Sequence, residues 1–147
     1  VQANRSMSSK GVVRGLHFQQ DPKCQAKIVE VLNGQAIDVI VDTRKDSLTY
    51  GKWGAFYLSP NNNVQLFVPR GYAHGFVSLE DNTIFHYLVD NDYAPELEGG
   101  ILWNDPEVGI NWDEIFEEYG IDNPILSDKD INRYPLSKCK TKFRRNK

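Results

Sequence analysis

The sequence predicts an all-β fold: a sandwich or barrel of short strands, finished by short C-terminal helices. Three observations carry this. Strand-forming runs recur about every 10 to 12 residues between residues 10 and 90. Their separators are rich in Gly, Pro, Asn and Asp. No run with helical period intervenes, as a parallel α/β sheet would require.

The first run is Lys-Gly-Val-Val-Arg-Gly-Leu-His-Phe-Gln, residues 10 to 19. Alternation places His17 with Val13 and Gly15 on one face, and Arg14 with Leu16 and Phe18 on the other. A glycine inside a strand marks a bulge or a close backbone approach, and a bulge at Gly15 turns Arg14 and His17 the same way. The pair then offers a base that titrates near neutral pH beside a permanent cation. The plainer alternative is an interior histidine bonded to a carbonyl, near a surface arginine.

Residues 25 to 32 and 35 to 42 flank Asn33-Gly34, the signature of a two-residue hairpin. In the second run Ile37, Val39 and Val41 alternate with Asp38 and Asp42, which predicts a half-buried strand. Strands over 52 to 58, 64 to 69, 73 to 79 and 83 to 89 follow, each bounded by turn residues. Residues 91 to 111 read as a loop. Trp112, Ile115, Phe116 and Tyr119 then fall on one helical stripe that Gly120 ends. Ser127 to Asp130 suits a final helical turn, with an acidic residue at its third position.

The chain has 147 residues, 40% hydrophobic and 25% charged. That is enough for one domain, over residues 1 to 137, with a core that needs no disulfide or metal support. Net charge is −3, but Lys138, Lys140, Lys142, Arg144, Arg145 and Lys147 put +6 into the last ten residues. Residues 138 to 147 read as a solvated, frayed basic tail. The acidic body argues against a nucleic-acid surface, and no apolar run approaches the length that crosses a bilayer. Cys24 and Cys139 lie in no CxxC pair and beside no ligand-spaced histidine, so both are expected to be reduced thiols of a cytoplasmic protein. No secretory signal is present, and a chain opening at Val1 leads us to expect a further segment upstream.

Pro69-Arg70-Gly71-Tyr72-Ala73-His74-Gly75-Phe76 has a P-x-G-x-x-H spacing that resembles the second motif of the cupin superfamily, double-sheet jelly rolls. Metal-binding cupins add an H-x-H pair. The histidines here are His17, His74 and His86, none of them so paired, and a catalytic divalent metal wants about three protein ligands. No bound metal is expected. His86 alternates to the face opposite Phe85 and Tyr87 and reads as structural.

Ser6, Gly11, Arg14 to Gln19, Lys27, Gly34, Asp38, Val41-Asp42, Arg44, Ser47, Tyr50-Gly51, Leu58-Ser59, Pro69 to Phe76 and Leu102 to Pro106 fall in one order. That order, running from Gln2 to about Asp130, resembles the dTDP-4-dehydrorhamnose 3,5-epimerase family, dimeric cupins that need no metal or other cofactor. The resemblance implies a cupin jelly-roll barrel, a homodimer, and inversion of C3 and C5 in a dTDP-linked 4-keto-6-deoxyhexose. It implies His17 as base, Lys27 as the cation at the C4 oxyanion, Tyr87 as proton donor from the opposite side, and Asp130 as the carboxylate that orients His17. Asp128 is the alternative should the alignment slip by two residues. A helix cap is the structural alternative for Asp130. Arg14 is implied at the diphosphate, and Gln2 and Asn4 around nucleotide and sugar. His74 is implied at a sugar hydroxyl, with a structural role as its alternative. Tyr93 is implied beside the nucleotide, with loop packing as its alternative. Family members begin with further residues, including a phosphate-gripping arginine and a dimer strand, that this chain lacks as numbered.

The chemistry suits these residue types. A C–H beside a ketone has a pKa of about 19 against about 6.5 for imidazolium, a gap on the order of 17 kcal/mol at about 1.36 kcal/mol per unit. A base alone does not close it. The enolate oxygen needs a cation where its charge develops, and the far face needs an acid. Two other readings stand beside this one: an enzyme inverting C3 or C5 alone on a related dTDP-4-keto sugar, and a non-catalytic sugar-nucleotide-binding cupin.

Overall fold

In the computed structural model, which describes residues 2–141 and 143–145, nine strands build two antiparallel sheets. They are β1 (Gln2–Ser8), β2 (Val13–Gln19), β3 (Lys27–Asn33), β4 (Ala36–Asp42), β5 (Trp53–Leu58), β6 (Leu66–Val68), β7 (Tyr72–Ser78), β8 (Thr83–Val89) and β9 (Glu98–Gly100). One sheet runs β1-β8-β3-β6 and the other β5-β4-β7-β2-β9. Most successive strands change sheet, which makes the sandwich a jelly roll. The helices are α1 (Trp112–Tyr119) and α2 (Asp128–Ile131).

Two apolar layers hold this together. Between the sheets, Val29, Val31, Ala36, Leu58, Val68, Phe76 and Phe85 form one cluster, with Phe76 and Phe85 stacked at 4.3 Å between ring centroids. Outside the five-stranded sheet, Val13, Leu16, Val39, Val41 and Val77 meet Ile101, Trp112, Ile115 and Leu136 from the C-terminal third. Gly120 ends α1 at φ +67°, its amide donating back to Phe116 and Glu117 carbonyls.

That second layer corrects two expectations. β4 is covered on both faces rather than half-buried. Asp38 and Asp42 are buried and point between the sheets, because the C-terminal third packs on the face carrying Val39 and Val41. The basic tail is not wholly frayed either. Thr141 and Phe143 are buried, Phe143 meets Phe18 edge-on at 5.5 Å, and the Lys45 amide donates to the Phe143 carbonyl. The Phe143 ring packs over the sheet, while Arg144 and Arg145 stay exposed. Lys142 and Lys147 of that tail lie outside the described residues.

Asn33-Gly34 does not close a hairpin. β3 pairs with β8 and β4 with β7, so the turn is a corner between sheets. Asn33 Nδ2 donates to the Asn82 carbonyl at 2.8 Å. Gly34, at φ +81°, lies so close to Thr83 that a Cβ would collide with it. The β3–β4 corner thus packs on the β7–β8 corner. A fourth difference is β9, which forms inside the expected loop and pairs with Phe18 and its neighbours on β2.

Candidate active site

The site is built on β2. Its pairing with β7 matches Arg14 to Phe76 and His17 to His74, with a register shift between, at Gly15 and Leu16. Gly15 sits at φ +121°, and a Cβ there would stand 2.7 Å from Gly75 Cα and 2.9 Å from the His74 carbonyl. Two glycines let the backbones touch and the strand bulge. Leu16 joins the outer core, while Arg14 and His17, three residues apart, both reach one cavity between the sheets.

That cavity measures about 460 Å³. Each sheet supplies one wall: Arg14, His17 and His74 from the five-stranded sheet, Gln2, Asn4, Lys27 and Tyr87 from the four-stranded one. Phe76 and Phe85 make it apolar at depth, and Tyr93 stands at its rim.

Asp130 lies behind the cavity. Its Oδ1 is 2.5 Å from His17 Nε2, and its Oδ2 accepts the Gly15 amide at 3.2 Å. The main chain brings it there. Val13 donates to the Ile125 carbonyl and Ile125 to that of Gly11, so the segment before α2 lies along β2. Ser127 then caps α2, its Oγ accepting from the Asp130 amide at 3.2 Å. Cap and dyad therefore coexist: the amide serves the helix and the carboxylate serves the histidine. Burial works to raise the Asp130 pKa. The hydrogen bond and charge of His17, with the Gly15 amide, outweigh it and hold the carboxyl below its usual range.

Lys27 opens β3 and reaches inward past Val29. Part of its surface faces the cavity, but its ammonium is enclosed by protein. Burial pushes it down to about 8, against the pull of Asp38 and Glu98. Its Nζ stands 3.4 Å from His74 Nδ1, and His74 Nε2 stands 2.7 Å from Asp38 Oδ2. Tyr87 is raised, first by burial, with the Arg14 cation opposing.

The nucleotide-side candidates are held in place by one another. Gln2 Nε2 donates to Asn4 Oδ1 at 3.1 Å, and the Tyr93 amide donates to Gln2 Oε1 at 3.3 Å. Buried Gln19 fixes the loop that carries Tyr93, accepting from the Ala94 amide and donating to the Asp92 and Lys23 carbonyls. At the rim, Glu98 accepts from Lys129 Nζ at 2.8 Å and from Tyr93 Oη at 2.9 Å.

Among the described residues, no group of three or more His, Cys, Asp or Glu side chains is arranged to hold a metal ion. His17 and His74 each hold a carboxylate, and His86 pairs with Glu30 at 3.2 Å on the outer face of its sheet.

The model of the dTDP-4-dehydrorhamnose 3,5-epimerase family matches residues 1–138. The chain belongs to that family. It is 47% identical over 136 residues to the dTDP-4-dehydrorhamnose 3,5-epimerase of Methanothermobacter thermautotrophicus, covering 92% of this chain and 71% of the relative. Two crystal structures superpose closely. The Legionella pneumophila 3,5-epimerase in complex with dTDP-4-keto-L-rhamnose gives a TM-score of 0.85 at 41% identity, over 93% of this chain and 69% of that one. The Bacillus anthracis 3,5-epimerase with TDP and PPi bound gives 0.84 at 46%, over 92% and 74%.

In this epimerase-family chain, eight of the nine residues singled out from sequence line one cavity, and the ninth, Asp130, touches His17 from behind. Asp128 makes no contact with His17; its carbonyl receives the Asn132 side chain. Sequence reasoning missed Glu98, Lys129 and any role for Asp38. Glu98 lies in a Gly-rich stretch without period, and Lys129 sat unremarked beside Asp130. Asp38 had a signal: an acid alternating with Ile37 and Val39 in a strand that turned out to be covered on both faces.

Proposed function

We propose that this chain inverts C3 and C5 of dTDP-4-dehydro-6-deoxy-D-glucose, giving dTDP-4-dehydro-L-rhamnose, by removing protons alpha to the C4 ketone. One observation carries the reading: a carboxylate-backed histidine and a tyrosine come from opposed sheets into one cavity, which Lys27 also lines. His17, oriented by Asp130, takes the proton. The dyad carboxylate fixes the ring and stabilises the imidazolium that forms. Lys27 faces the C4 oxygen, where an ammonium enclosed by protein counts for more than one in water. Tyr87 returns a proton from the other wall. The phenol suits this task, since burial keeps it protonated. Arg14, exposed at the edge, is available to a diphosphate, for which a guanidinium fork is well shaped. Gln2, Asn4 and Tyr93 line the nucleotide end.

A homodimer is part of the proposal. The outer face of the four-stranded sheet exposes Met7, Ile28, Leu32, Phe67 and Leu88, with Phe67 59% and Met7 64% accessible. Across it run Arg5, His86 and Glu30 in register, cation to anion. A two-fold mate laid on this face sets Arg5 against Glu30 and covers the apolar rows. Among the described residues no helix is long and apolar enough to cross a membrane. We place the enzyme in the cytoplasm, where Cys24 and Cys139, free thiols in this fold, stay reduced.

The test is incubation with the dTDP-4-keto sugar in deuterated water, followed by proton NMR. Deuterium is expected at both C3 and C5. Incorporation at one carbon assigns a single-centre enzyme, and none assigns a silent binder.

A further inference from the structure

We propose that Asp38, acting through a neutral His74, is a positioning residue that holds Lys27 in its ammonium form and aims it into the cavity. The inference rests on the reading of Lys27 as the cation at the C4 oxygen and adds what makes that cation possible.

The geometry dictates the proton arrangement. Lys27 Nζ lies 3.4 Å from His74 Nδ1, while His74 Nε2 lies 2.7 Å from Asp38 Oδ2. An ammonium has only donors, so Nδ1 must be the accepting nitrogen. The ring proton then sits on Nε2 and points at the Asp38 carboxylate. The imidazole is neutral and bridges cation to anion. His74 is lowered, first by burial and with Lys27 adding to it, which favours that neutral ring.

Each end of the bridge needs the other. Asp38 is completely buried, and its Oδ1 has no hydrogen-bond partner among the described residues. Burial works to raise the Asp38 pKa, and its hydrogen-bonded neighbour His74 and the Lys27 charge work against that rise. Conversely, burial drives the ammonium towards its neutral form, and Asp38 is the first group that opposes this. The two titrate as a pair. Titratable or charged groups surround Lys27 from the neighbouring strands: Asp38 on β4, His74 on β7, Arg14 and His17 on β2, Tyr87 on β8 and Glu98 on β9. Among the described residues, the carboxylates that act on it are Asp38 and Glu98, and Glu98 is already held by Lys129 and Tyr93. In this arrangement both ring nitrogens of His74 are engaged, which makes it the support of Lys27 rather than a sugar-hydroxyl ligand.

The test is Asp38→Asn, which keeps the shape and an acceptor for Nε2–H but removes the charge. Lysine labelled with 13C at Cε reports Lys27 directly by NMR in the ligand-free protein. Its midpoint is expected to fall by about one pH unit or more. In turnover, the basic limb of kcat moves down with it, giving about fivefold less kcat at pH 8, with KM within about twofold. An Asp38→Asn protein with an unmoved Lys27 midpoint would overturn the proposal. Should that variant not fold, 15N NMR of the unaltered protein decides. A neutral His74 protonated on Nε2 between pH 6 and 7 supports the bridge, and an Nδ1–H tautomer or an imidazolium contradicts it. Neither NMR readout needs substrate, so the bridge and the epimerase reading fail separately.

Discussion

In the proposed mechanism His17 depends on one carboxylate, Asp130. An imidazole alone on a strand is free to rotate and to choose either tautomer. Asp130, holding Nε2 at 2.5 Å and itself pinned by the Gly15 amide, leaves one orientation, with the other ring nitrogen available to the sugar. Asp130→Asn keeps the shape and the helix cap but lets the ring turn or carry its proton on the wrong nitrogen. We expect kcat to fall by about 10² to 10⁴, the usual weight of a positioned acid–base group, with KM little changed. A variant within a factor of two of the parent in steady-state assays would remove Asp130 from the mechanism. At this scale the sequence was most legible. Arg14, His17, Lys27 and Tyr87 were named from the family pattern, which implied their tasks, and the structure brings all four to one cavity. Glu98 and Asp38 were less legible because their meaning depends on partners distant in the chain: Lys129 for one, His74 for the other.

The β2 bulge is the element on which the site depends. With strict alternation Arg14 and His17 would face opposite ways, and the histidine and the cation would never share a cavity. Gly15 allows the register shift, and Gly75 lets β7 approach it. Gly15→Ala sets a Cβ 2.7 Å from Gly75 Cα at a φ of +121°. The strain and crowding together are worth about 2 to 5 kcal/mol. A lower Tm with kcat reduced beyond what unfolding explains is expected by calorimetry and assay. Parental stability would mean that the bulge tolerates a side chain. The bulge was readable because a glycine interrupts an apolar run between two polar residues. The corner at Asn33-Gly34 was misread for an instructive reason. A tight turn looks the same locally whether it returns to its own sheet or crosses to the other. Pairing with β7 and β8, which begin at Tyr72 and Thr83, far along the chain from Gly34, decides it. β9 was invisible because Glu98-Gly99-Gly100 has neither alternation nor β-branched residues.

Over the whole molecule, the division of labour follows from two apolar layers. The layer between the sheets fills one end of the barrel and leaves the other end as the cavity. The outer layer lets the five-stranded sheet be buried on both faces, with Asp38 buried between the sheets and Asp130 buried behind β2. Among the described residues, nothing covers the outer face of the four-stranded sheet in that way. Phe67→Lys combined with Ile28→Glu should convert the proposed dimer to a monomer in sedimentation velocity while leaving the fold intact by circular dichroism. A parent protein that sediments as a monomer at micromolar concentration would refute the proposed face. Fold class was legible from strand spacing, but the outer apolar layer was not. It depends on where residues 101 to 143 lie once folded, which no local period records. The central claim is that His17 and Tyr87 act on one ketosugar from opposite walls, and deuterium incorporation resolved by carbon in the His17→Asn and Tyr87→Phe variants tests it most directly. The account predicts no label at either carbon without the imidazole, and label at C3 but little at C5 without the phenol. Label appearing at C3 or C5 in the His17→Asn protein would contradict it.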